Sequence, residues 1–127
     1  MMKRARVLLL VSVALFCLGP AFAADISGKW VAAIQTGIGE MNYTFDFKVE
    51  GEKLTGRAVM SMGGNSSESD LTEGSVKGDQ LSFVETLKVQ GKELRVEYKG
   101  KISGDEIRGA RQVGSYGNED FVAKRAK

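Results

Sequence analysis

From Glu40 to Glu50 apolar and polar residues alternate without a break: Met41, Tyr43, Phe45, Phe47 and Val49 on one side, Asn42, Thr44, Asp46 and Lys48 on the other. Strict period two over this length predicts a half-buried β-strand, because a helix would scatter the same residues around its circumference. The alternation runs into a six-residue phrase that the chain writes four times: Val49-Glu-Gly-Glu-Lys-Leu54, Val76-Lys-Gly-Asp-Gln-Leu81, Val89-Gln-Gly-Lys-Glu-Leu94 and Ile102-Ser-Gly-Asp-Glu-Ile107. Each phrase reads as a β-hairpin whose terminal aliphatic residues face each other across a two-residue turn with glycine first. The last three copies start 13 residues apart and the first two 27 apart, which leaves room for one more hairpin around Met62-Gly-Gly-Asn65.

Counting outward from these turns predicts the inner face. Tyr43 faces Met60, Phe45 faces Ala58 and Phe47 faces Gly56; later strands send in Leu81, Phe83, Glu85, Leu87 and Val89, then Leu94, Val96, Tyr98, Gly100 and Ile102, then Ile107, Gly109, Arg111 and Val113. The first strand is expected from Gly28 to Gln35 with Trp30, Ala32 and Ile34 inward, and the last from Asn118 to Lys124, after a Ser115-Tyr116-Gly117 loop, with Phe121 and Ala123 inward. Asn65 to Gly74, rich in serine and acid, predicts a frayed or bulged fourth strand. The whole is an all-β chain: an eight-stranded antiparallel up-and-down meander barrel, since closure removes the two edges an open sheet would expose. A two-sheet sandwich is the alternative.

The two ends of such a barrel differ. Val49, Leu54, Val76, Leu81, Ile102 and Ile107 converge with Trp30 at the end that carries the Gly51, Gly78 and Gly104 turns, an aliphatic plug. The other end carries the longer glycine-rich connections, with Met41, Met60 and Met62 facing inward near it. Methionines there fill gaps in a small core or contact an irregular apolar ligand.

One constellation stands out. The turn register places Glu85 opposite Tyr98 and Tyr98 opposite Arg111, with Thr72 beside Glu85 if the fourth strand is unbulged. Buried groups of this kind must satisfy each other, water or a ligand. Two readings stay open: a network that pins strand register, or a polar anchor beneath an apolar pocket lined by Tyr43 and the methionines, with Arg111 and Tyr98 holding a ligand carboxylate or hydroxyl.

Composition narrows the function classes. Lys3, Arg4 and Arg6, the apolar run from Val7 to Leu18 and Ala21-Phe22-Ala23 spell a secretory signal peptide, an N-terminal signal helix over residues 1–23 ahead of one barrel domain over 24–127. Of the 18 basic and 16 acidic residues, three basic ones belong to that leader, so the mature part carries −1. Nothing in that balance suggests nucleic acid, or stable membrane association after cleavage. The chain has no histidine, and its one cysteine, Cys17, lies in the leader. Ser-His-Asp and Cys-His catalysis and the usual zinc and copper sites are thereby excluded, and no catalytic residue, metal or cofactor is expected. Polar outward positions such as Asp46, Lys48, Arg57, Arg95 and Arg108 suggest a monomer. The expected protein is periplasmic or secreted. It binds a small apolar or amphipathic molecule, or else is an interaction or inhibitor-type module with a filled barrel.

Gly28-Lys29-Trp30 at the start of the first strand resembles the G-x-W opening of the calycin barrels, namely lipocalins, fatty-acid-binding proteins and avidins. The resemblance implies that Gly28 and Trp30 are structural and that Trp30 caps the closed end. The stretch Tyr98-Lys-Gly-Lys-Ile-Ser-Gly-Asp-Glu-Ile-Arg-Gly109, with Phe121-Val-Ala-Lys-Arg125, is similar to a family of short exported bacterial barrels, which implies fold and export and no particular activity. Departures matter. Trp30 is the one tryptophan, unlike the several that line an avidin pocket, and Arg111 and Tyr98 do not form the Arg-x-Tyr pair of fatty-acid-binding proteins.

Overall fold

The computed structural model describes residues 25–89 and 91–126. The expected leader over 1–23 and its cleavage site lie outside the described residues, as does the side chain of Val89. The described chain is all β: β1 (Gly28–Thr36), β2 (Gly39–Glu50), β3 (Lys53–Met62), β4 (Asn65–Asp70), β5 (Thr72–Lys77), β6 (Gln80–Val89), β7 (Lys92–Ser103), β8 (Glu106–Val113) and β9 (Gly117–Arg125). Each strand pairs antiparallel with its neighbours, and the β1–β9 and β2–β3 ladders close the sheet on itself.

Nine strands make eight staves. β4 covers the upper part of β3, from Arg57↔Asp70 to Met62↔Asn65, and β5 the lower part, at Lys53↔Ser75 and Leu54↔Gly74. The break between them follows from parity. Leu71 and Val76 are both buried, yet they stand five positions apart, and an unbroken strand would point them to opposite faces. An irregularity between Thr72 and Ser75, with Glu73 at a φ of +51°, absorbs the mismatch. Thr72 consequently pairs with Val84 and is exposed, so it does not stand beside Glu85 as an unbulged strand would have it.

The break also opens the wall. β5 pairs with β6 only from Lys77↔Gln80 up to Thr72↔Val84. Among the described residues β4 has no ladder to β6, whose upper half is bonded to β7 alone. A cleft of about 410 Å³ fills this seam, lined by Ser67, Ser69, Asp70, Glu85, Lys88 and Glu93 among others.

Of the five hairpins that the four repeated phrases and Met62-Gly-Gly-Asn65 spell out, four pair as the sequence implies: Val49↔Leu54, Val76↔Leu81, Ile102↔Ile107 and Met62↔Asn65. The β6–β7 hairpin departs. Val89 pairs with Lys92, so glycine stands second in the turn (Gly91, φ +78°) and the register lies two residues from the expected one. Glu85 therefore sits opposite Val96, and Phe83 opposite Tyr98. The expected register would set Lys88 against Arg95, whereas the observed one sets it against Glu93, and like charges directly opposite are unfavourable. A slide of two residues keeps every side chain on its face and changes only its height. The β8–β9 connection is shifted by one, Val113 pairing with Gly117 around residues 114–116.

The interior is filled. Tyr43, Phe45 and Phe47, successive inward residues of β2, stack with centroids 5.2 and 5.5 Å apart. Phe83 packs against both phenylalanines and stacks on Tyr98 at 4.4 Å, and Phe121 meets Tyr98 edge-on. Room for these rings comes partly from Gly100, where a Cβ would lie 3.2 Å from the Phe121 ring; at its partner Gly109 a Cβ would instead strike the Lys99 carbonyl oxygen of the neighbouring strand. Below the aromatics, Leu54, Val76, Leu81 and Ile107 plug the closed end together with Trp30 and Ile26. The Trp30 indole N–H donates to the Ile26 carbonyl at 2.8 Å, and the Arg125 guanidinium lies over its ring at 4.6 Å. This eight-stave barrel is compatible with the calycin-like architecture that Gly28 and Trp30 suggested.

Candidate functional site

Directly above the aromatic stack the barrel turns polar. β6 supplies Glu85, β7 Tyr98, β2 Tyr43 and β8 Arg111, all inward by alternation and all buried. Their heads form a closed four-membered arrangement. Both phenols donate to one carboxylate oxygen, Glu85 Oε1, from Tyr98 at 2.7 Å and from Tyr43 at 3.1 Å. The Nη1 of Arg111 donates in turn to both phenol oxygens, at 2.9 Å to Tyr43 and 2.8 Å to Tyr98, and stands 4.0 Å from Glu85 Oε1. Each phenol thus passes the pull of the guanidinium on to the carboxylate.

A fifth member escaped the sequence reading. Glu119 on β9 is the register partner of Arg111; its Oε1 accepts from Nε at 2.8 Å and lies 2.8 Å from Nη2. The signal was present, because the alternation that turns Phe121 and Ala123 inward does the same for Glu119. Nη2 also donates to the Met41 sulfur at 3.6 Å. All three nitrogens of Arg111 therefore have protein partners.

Burial and charge act together on these groups. Burial pushes the Tyr43 phenol up to about 12 and the Tyr98 phenol well above its ordinary value, so both stay protonated and donate. Burial works to lower Arg111, but the two phenols outweigh it and hold the guanidinium charged. Glu85 is raised, chiefly by burial, against the opposing hydrogen bonds from Tyr98 and Tyr43 and the charge of Arg111. A carboxyl raised on folding costs stability once the unfolded chain ionises, so its penalty grows as pH rises from about 4.5 toward the folded value and is absent below that window. The Glu85→Gln variant should accordingly gain stability relative to wild type between about pH 4 and about pH 7. Urea midpoints of the two proteins at both values check this; an unchanged difference would mean that Glu85 does not titrate differently in the fold.

Above the network lies a cup at the open end, about 420 Å³ in volume. Its floor holds Arg111, Glu119 and Met41, its wall Leu87, Leu94 and Val113, and its lip Ile38 from the β1–β2 loop and Tyr116 from the β8–β9 loop. Ile38 is 68% exposed and Tyr116 76%, the largest exposures among the big apolar side chains of the described residues. Of the residues expected to contact a ligand, Arg111 and Met41 line this cup. Glu85, Tyr98 and Tyr43 lie beneath it in the network, and Glu85 also borders the side cleft. Met60 and Met62 pack, half-buried, against the core. No protein family and no curated protein matches the chain by sequence.

Proposed function

We propose that this protein is an exported binding protein whose open-end cup takes the apolar part of a small apolar or amphipathic molecule. The observation that carries the reading is the pairing of a concave, apolar-walled cup with two exposed large apolar residues, Ile38 and Tyr116, at its lip. Exposed rings and branched side chains cost hydration free energy, and grouping them around a hollow is the arrangement that a ligand would cover. The aromatic stack below occupies the middle of the barrel, so the site is a shallow one above Arg111 and not the depth of the barrel. A binding role also agrees with the lack of histidine and of mature cysteine in the sequence.

Octanol is a suitable neutral probe. It should shift the methyl resonances of Leu94 and Val113, and the Ile38→Ser/Tyr116→Ser double variant should weaken it about tenfold, near 1.4 kcal/mol. The same lip supports a second reading, an apolar contact for a protein partner above a filled barrel. Failure of octanol to perturb the cup at millimolar concentration would favour that reading over the first. For export and assembly, the protein recovered from its native compartment should begin at Ala24 and scatter light as a monomer. Material retaining the leader, or twice the monomer mass at micromolar concentration, would contradict those two parts.

A further inference from the structure

Resting on the cup as a ligand site, the charge arrangement on its floor points to the chemistry of the ligand's head group. We infer that the cup accepts an amphipathic molecule whose head donates hydrogen bonds, a primary alkylamine above all, and that it turns away fatty carboxylates. Arginine at the base of an apolar pocket ordinarily suggests the opposite, because a guanidinium is a ready partner for a carboxylate. Here its nitrogens are spent within the protein: Nη1 on the Tyr43 and Tyr98 phenols, Nε on Glu119, and Nη2 on Met41 with Glu119 beside it. The phenol protons are spent as well, both on Glu85.

What the floor offers is an acceptor. Both contacts of Glu119 with Arg111 use Oε1, and among the described hydrogen bonds and ion pairs Oε2 has no partner. The Glu119 side chain is 23% exposed, and the residue lines the cup beside Arg111 and Met41. The guanidinium of Arg111 is shared between Glu119 at 2.8 Å and the Glu85 carboxyl at 4.0 Å, so little of its charge is left to face the cup. A ligand carboxylate reaching this depth would meet Glu119 without a donor to receive it, losing its water for no replacement bond. An ammonium or hydroxyl would donate to Oε2 while its chain lies along Leu87, Leu94 and Val113 and leaves between Ile38 and Tyr116. Lys92 also lines the cup, but it is exposed, and solvent screens a charge there more strongly than one at the floor.

Three probes of one chain length separate the possibilities: octylamine, octanol and octanoate, titrated into the mature protein near neutral pH and read by methyl shifts at the cup. The expected order is octylamine tightest, octanol between, and octanoate at least about tenfold weaker than octylamine. Glu119→Gln, which keeps the shape and a carbonyl acceptor, should bring amine and carboxylate to within about twofold of each other while octanol changes little. Ile38→Ser should weaken all three alike, and so reports on the cup independently of its floor. Octanoate binding as tightly as octylamine, or an amine preference that survives Glu119→Gln, overturns the inference and leaves the cup reading intact if octanol still binds. No binding by any probe removes the cup as a ligand site, and the head-group assignment with it.

Discussion

Arg111→Met is expected to destabilise the barrel by about 3–5 kcal/mol, a large fraction of what a single small domain possesses. The reason is the company that Arg111 keeps. It is 1% exposed, and its removal leaves Glu85, equally buried, without the guanidinium 4.0 Å away and strips both phenol oxygens of their donor. Glu119, being partly exposed, can turn to water; Glu85 cannot. Glu85→Gln on the Arg111→Met background should therefore restore much of the loss, and Glu119→Gln on the same background considerably less. Urea unfolding of the single and double variants measures both, with their coupling as the decisive quantity. Additive effects of Arg111→Met and Glu85→Gln would show that the two side chains do not share a network. A loss below about 1 kcal/mol for Arg111→Met would show that water reaches the site freely.

Trp30→Ala should be of similar severity, about 3–5 kcal/mol, by a different mechanism. Trp30 is fully buried at the closed end, where its ring lies 6.5 Å from that of Phe47 and under the Arg125 guanidinium. Truncation leaves a hole in the plug and removes the donor to the Ile26 carbonyl, so the segment before β1 loses one of its ties to the barrel and keeps those from Val49 N–H to Ser27 Oγ and from Arg125 to the Ser27 carbonyl. Trp30→Phe should keep part of the packing and lose that hydrogen bond, falling between wild type and alanine. Equilibrium denaturation monitored by circular dichroism reads all three proteins, and a loss below about 1 kcal/mol for alanine would mean that the closed end repacks without it.

Most of the barrel is legible in the sequence because both of its determinants are local. Period-two alternation sets which way a side chain points, and a two-residue glycine turn sets which residues pair. Between them they place Tyr43, Phe45, Phe47, Phe83, Tyr98 and Arg111 inside and Trp30 at the plugged end, as the structure has them. Local rules fail where two of them compete. Val89-Gln-Gly-Lys-Glu-Leu94 accommodates glycine in either turn position, and charges farther along the ladder, Lys88 against Glu93, favour the one that a turn rule alone would not choose. The break between β4 and β5 was foreshadowed only as weakness in the fourth strand. Its cause, the odd spacing of Leu71 and Val76, becomes visible once both are known to be buried.

The sequence by itself determined the strand order, the facing of the inner residues, the difference between the two ends and the absence of histidine from any site. Only the tertiary structure decided what the inward polar residues do, because that depends on height and reach across the barrel. Glu85 meets Tyr43 across 42 residues of sequence, and Tyr43 meets Arg111 across 68, contacts between staves that no turn connects. Closure brings those staves face to face, commits the nitrogens of Arg111 to the protein and leaves an oxygen of Glu119 as the acceptor beneath the cup. Side-chain direction is a property of each strand; the partner a side chain finds is a property of the closed ring.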